Sequence, residues 1–321
     1  MFREMLSSIH RTLTVSGFVA SLASGAPVLF AVPAPADAQM VMSGVEQLPF
    51  DRPESWALKY FTSASLLSGL EVPRSQKPGA VSIGLEAGWL PPLTDAQQLV
   101  GYNGTEAQDL NKAPFFLRPG VEIGLPAGLS LIVAFVPPVR MFGIKPKLLA
   151  LAIQRPIYET PVWAVGLRAY GQVGTVEGSY TCPEDVVAFE PGSPGNPEGC
   201  QAASSDTATL RYLGGEASVA YRPDAMHRLS PHAAVGVNYM DVEFQVNAQT
   251  FDMIDHTKYL SHGVTASLSG GVSYRLTSRL SLGVDVFYSP LSVDRGPGAP
   301  VQNDGLFNIR GLFTYRLHEP R

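Results

Sequence analysis

Beyond its N-terminal stretch the chain lacks any apolar run of about 18 residues, so no segment of the remainder can cross a membrane as a helix. Charge is scarce too: 16% of residues are charged, below the usual quarter, while 45% are hydrophobic, which argues against disorder. The formal net charge is only −5 and no basic cluster is present, so the electrostatic footprint of a nucleic-acid binder is missing. There are two cysteines, no CxxC spacing and no histidine beside either cysteine. That removes the usual zinc and dithiol redox sites, and no cofactor or metal is implied. A chain this poor in charge and free of spanning helices faces something other than water with part of its surface. If that something is lipid, only a closed β-barrel satisfies the backbone.

The N-terminus supplies a route out of the cytoplasm. Arg3 and Arg11 precede an apolar, small-residue stretch from Leu13 to Val32, and Ala36-Asp37-Ala38 follows. This is the layout of a secretory signal cleaved after Ala38. In an exported chain Cys182 and Cys200 are expected to form a disulfide, and closing the Pro- and Gly-rich loop between them would stabilise by about 3 kcal/mol in the entropic picture.

What the sequence has in abundance is alternation. In Val264–Tyr288, Val264, Ala266, Leu268, Val272 and Tyr274 share one face of a first run, and Leu280, Leu282, Val284, Val286 and Tyr288 one face of a second. Thr265, Ser267, Ser269, Ser273 and Arg275 occupy the other face of the first and Ser281, Gly283, Asp285 and Phe287 that of the second, and a four-residue connection makes the pair an antiparallel hairpin. From Ala80 onward the same unit recurs, giving about ten strands joined by connections that are alternately long and short. Outward aromatics sort by level: Trp89, Phe135, Tyr239, Tyr288 and Phe307 at the long-loop ends, Trp163, Tyr221, Tyr274 and Tyr315 at the short-turn ends. Two aromatic girdles around apolar strands of about ten residues describe an all-β, transmembrane, antiparallel up-and-down barrel over residues 78–318.

Residues 39–77 show no alternation. Pro53 after Asp51-Arg52 reads as a helix start, and Trp56, Tyr60, Ala64 and Leu67 fall at helical spacing up to Gly69. A short amphipathic helix over Pro53–Ser68 is expected rather than an eleventh strand, since even strand counts are the rule for such barrels, and the exported segment that carries it is expected in the periplasm. Lying on the membrane or plugging the barrel are the alternatives.

The stretches LKYFTSASLLSGLEVPRSQKPGAVSIGLEAGWLP, GYNGTEAQDLNKAPFFLRPGVEIGLP and GVNYMDVEFQVNAQTF resemble a group of proteobacterial outer-membrane proteins. The resemblance covers most of the mature chain and implies a barrel in a Gram-negative outer membrane, with lipid as its partner. It brings no catalytic residues to carry over.

The inward positions hold the candidate chemistry: the acids Glu86, Glu122, Glu216 and Asp285 and the bases Arg118, Arg168 and Arg310. Charges in so narrow a lumen are costly unless paired, so a salt-bridged interior that holds the barrel's shape is one expectation. A narrow polar pore for small solutes is the other. Together they make a structural or small-pore protein the leading expectation. Surface adhesion through the long loops, and uptake of apolar compounds gated by the helix, are alternatives. An enzyme is disfavoured, because the candidate acid and histidine groups at the outer rim, Asp252, Asp255, His256 and His262, carry no opposing acidic motif.

Overall fold

The computed structural model describes residues 40–222, 228–296 and 301–320. The expected signal segment, with its cleavage site after Ala38, lies outside them.

Ten long strands form the wall: β1 (Val81–Trp89), β2 (Phe115–Gly124), β3 (Ser130–Val136), β4 (Ile144–Glu159), β5 (Trp163–Gly178), β6 (Asp206–Tyr221), β7 (Leu229–Gln245), β8 (Met253–Arg275), β9 (Leu280–Ser289) and β10 (Leu306–His318). Each pairs antiparallel with the next, and β10 returns to β1 through a register running from Ile309 opposite Trp89 to His318 opposite Val81. The sheet is therefore a closed meander. Its outer face carries Leu151, Leu167, Val235, Val237, Leu268 and Val284, all exposed, as a belt that only lipid can cover. Trp89, Phe135, Tyr239 and Phe307 are exposed at one edge of that belt and Trp163, Tyr221 and Tyr274 at the other. Among the described residues no helix is long and apolar enough to span a membrane.

The N-terminal segment is not beside the barrel but inside it. Met40–Gln47, where no alternation was legible, is a strand that pairs parallel with Met253–Leu260, the part of β8 extending beyond the long-loop rim. Helix α1 (Pro53–Ala64) follows, started by Pro53 in its first turn with Glu54 against the positive helix end. Ser55, Trp56, Ala57, Leu58, Lys59 and Tyr60 are all buried, so the helix is enclosed on every side rather than on one face. It closes the long-loop mouth, where Trp56 Nε1 donates to Asp304 O at 2.8 Å and Lys59 Nζ to Ser292 O at 2.9 Å.

From Ser65 the chain descends the lumen as an irregular strap. It leaves at the short-turn end, where Ser75 N donates to Glu159 Oε2 at 3.1 Å and Lys77 Nζ to Pro320 O at 3.1 Å, and then turns into β1. The periplasmic placement expected for residues 39–77 is thus replaced by a plug that threads the whole barrel. The helix also ends at Ala64 rather than Ser68: Ser65 N and Leu66 N turn back to Thr62 O and Ser63 O in a tighter last turn, and Leu67 N is taken by the Tyr212 hydroxyl.

Candidate functional site

The interior has two storeys, and the lower one is built from the inward charges. Arg118 (β2) donates through Nε to Glu86 Oε2 (β1) at 2.9 Å and through Nη1 to Ser65 O. Arg310 (β10) donates to Leu66 O at 2.9 Å and Ser68 O at 2.7 Å, with Glu86 3.7 Å and Asp285 3.9 Å from its guanidinium. Its plane lies 4.1 Å over the ring of Phe287, a cation–π contact. Arg168 (β5) reaches Glu216 Oε1 at 3.1 Å and the carbonyls of Gly69 and Glu71 at 2.9 and 2.7 Å. The acids face the strap's donors: Gly69 N bonds Glu216 Oε2 at 2.6 Å and Leu70 N bonds Asp285 Oδ2 at 2.9 Å. Tyr212 accepts from Leu67 N and donates to Ser65 O, each at 2.9 Å.

These side chains do for Ser65–Glu71 what a helix or sheet ladder does elsewhere: they satisfy buried backbone groups that water cannot reach. Three acids and three arginines balance, and all six are buried. Glu122 stands apart, accepting from Gln154 Nε2 at 2.8 Å nearer the short-turn end. Gly69 sits at the tightest point, with a φ of +71° and its Cα so close to Asp285 and Ser269 that a Cβ would lie 2.4 Å from the Asp285 carboxylate.

The upper storey is apolar, contrary to an interior of glycines and ions throughout. Val136, Leu148, Val176, Leu210, Val242 and Phe287 point inward from the long-loop ends of their strands and are buried. Phe287 falls at the inward phase of its alternating strand, but the others were hidden in the sequence where alternation gives way to runs apolar on both faces, as in SLIVAFV of β3. Between Val136, Leu148, Val176 and Leu210 of the wall and Leu58 and Phe61 of α1 lies a cavity of about 500 Å³, lined almost wholly by carbon. Its size is that of a small-molecule site.

The long loops roof this cavity. Cys182 and Cys200 are joined as a disulfide, which closes the loop carrying Glu198. Glu106, on the loop between β1 and β2, has its carboxyl pushed up to about 7 by burial, with Glu198 adding repulsion. Between pH 4.5 and about 7 the packed Glu106 therefore holds a proton that an unpacked one releases. Loop packing is expected to weaken as pH rises through that window and to level off above it. Hydrogen exchange of residues 99–110 against pH measures this, and Glu106→Gln is expected to flatten the profile.

Three of the rim acids and histidines bond groups other than one another. His256 Nδ1 is 3.0 Å from Asn247 Oδ1, Asp255 Oδ1 accepts from Thr257 N at 2.7 Å, and His262 lies 3.4 Å from Gln47 Nε2.

No protein-family model and no curated protein matches this chain. Among solved structures, the outer membrane protease OmpT of Escherichia coli is similar at 11% identity and a TM-score of 0.37, covering 74% of this chain and 94% of that one. The attachment invasion locus protein Ail of Yersinia pestis is similar at 11% identity and 0.31, covering 75% and 99%. The N-terminal β-barrel domain of Pseudomonas aeruginosa OprF gives 9% and 0.29, covering 75% and 100%.

Proposed function

We propose that this protein is an outer-membrane barrel, long loops outward, whose N-terminal segment seals the axial path and whose upper chamber binds apolar small molecules. The observation that carries the reading is the division of the interior. A charged belt is spent on holding the strap, and a carbon-lined cavity is left open beside the helix. A polar pore through the belt would run where Ser65–Glu71 lies, so the apolar chamber supports a function better than the charges do. The adhesion reading has only the exposed loops in its favour.

A solvatochromic apolar dye added to the purified full chain in detergent tests this reading. Binding is expected to saturate with the wild type and to weaken by about tenfold or more in Ala208→Trp, which fills the chamber from a small inward residue of β6. The indole has no role in the charged belt, so the barrel is expected to keep its heat-resistant electrophoretic form. Equal dye binding by both proteins would remove the chamber from the function.

A further inference from the structure

The wall of the barrel is not equally zipped at every joint. Strands β1 and β2 pair along their whole length, from Val81 opposite Ile123 to Trp89 opposite Phe115. Strands β2 and β3 share only five paired positions, ending at Gly120 opposite Ala134. Both chains continue upward from there, β2 by five more residues to Phe115, yet the ladder stops.

The sequence explains the stop. Gly124 exchanges hydrogen bonds with Gly79 and Ala80, so its backbone groups face β1, and by alternation those of Val121, Pro119 and Leu117 face β3. Leu129 O accepts from Leu125 N, so the odd-numbered residues of β3, including Phe135 and the following Pro137, face β2. The next two rungs of this register are Pro119 with Phe135 and Leu117 with Pro137. Each has lost one of its two N–H donors to proline, on consecutive rungs and from opposite strands. Proline at these places also leaves fewer donors for lipid to strand, which lowers the cost of an open joint in a membrane.

The cavity borders this joint. It is lined by Val136, Leu148 and Leu210, which point into the lumen, and equally by Leu85, Leu117 and Pro119, which belong to the lipid-facing surface. One space is thus touched by both faces of the wall beside the joint where the ladder is missing. We propose that the upper chamber opens sideways into the bilayer through the β2–β3 joint, and that its occupant is an acyl-chain-like apolar molecule arriving from the lipid rather than from water. The lining is almost wholly carbon from the lipid belt to the helix, so such a molecule meets no polar step on the way in. This rests on the chamber being a binding site, as proposed above.

The test uses the full chain in phospholipid vesicles containing a long-chain fatty alcohol that carries a mid-chain diazirine. After illumination, peptide mapping is expected to find adducts on inward Val136, Leu148 or Leu210 as well as on outward Leu151. In Pro119→Val/Pro137→Val, which restores both missing donors, inward adducts are expected to fall by about tenfold or more with outward ones unchanged. Val139→Arg, an exposed change at the lip of the opening, is expected to act in the same direction without touching the ladder. Inward adducts that persist in both variants, or that are absent from the wild type although the dye binds it in detergent, overturn the lateral route and leave the chamber standing. If neither dye nor alcohol reaches the interior, the chamber itself is not a binding site and both proposals fall.

Discussion

Deletion of residues 40–77 is expected to convert a silent barrel into a conducting one. In the intact chain α1 closes the long-loop mouth and Ser65–Glu71 crosses the charged belt, so a planar bilayer is expected to show no steady current. Without the segment, Arg118, Arg168 and Arg310 are left facing Glu86, Glu216 and Asp285 across a ten-stranded lumen. A barrel of this strand number is slightly wider than the size that side chains fill unaided, so water and small ions enter the space the strap vacated. Charge-lined constrictions of this kind pass small ions with a selectivity that follows the lining. Steady steps of current from the shortened chain, correctly folded by heat-modified electrophoresis, are the expected result. A current of the same size from the intact chain would show that the strap does not seal the barrel.

Arg310→Ala is expected to give the largest loss of stability of any single substitution. The change takes the arginine from Asp285, leaves Glu86 to Arg118 alone, strands the carbonyl of Ser68 and leaves that of Leu66 only the 3.4 Å contact from Arg118, all in a site that excludes water. Removing one partner of a buried ionic group costs about 3–5 kcal/mol, against a total that for most domains is roughly 5–15 kcal/mol. Urea unfolding in lipid is expected to show a correspondingly large drop. Arg310→Lys keeps the charge but not the two-pronged reach to both carbonyls, so it is expected to fall between. Adding Asp285→Asn to Arg310→Ala is expected to recover part of the loss, since the uncompensated carboxylate is then gone. A change of less than about 1 kcal/mol in Arg310→Ala would mean the belt is hydrated and not the clamp described here.

Much of the wall was legible in the residues because a barrel in lipid imposes one simple pattern, a period of two with carbon outside. Leu280, Leu282, Val284 and Val286 against Gly283 and Asp285 reveal the face, and the turn Leu276–Arg279 reveals the hairpin. The inward charges were legible for the same reason, since Arg118, Arg168, Glu216 and Asp285 each interrupt an apolar strand at the inward phase. What they hold was not. Their partners are backbone atoms of Ser65–Glu71, and a carbonyl carries no sequence signature. The strand Met40–Gln47 was hidden because it lies above the membrane and is exposed on every residue, so no buried face imposed alternation on it. The open joint was written in Pro119 and Pro137, but its meaning depends on which way each N–H would have pointed, and that is fixed only by the register of the neighbours.

The claim on which the rest depends is that wall side chains clamp the strap's backbone across the lumen. Amide hydrogen exchange of Leu67, Gly69 and Leu70 in the lipid-reconstituted full chain tests it directly, because these three N–H groups bond Tyr212, Glu216 and Asp285 and no backbone partner. Exchange as slow as that of the barrel strands, and quickened at Leu70 in Asp285→Asn, is the expected result. Exchange at the rate of an unstructured peptide at all three would contradict it.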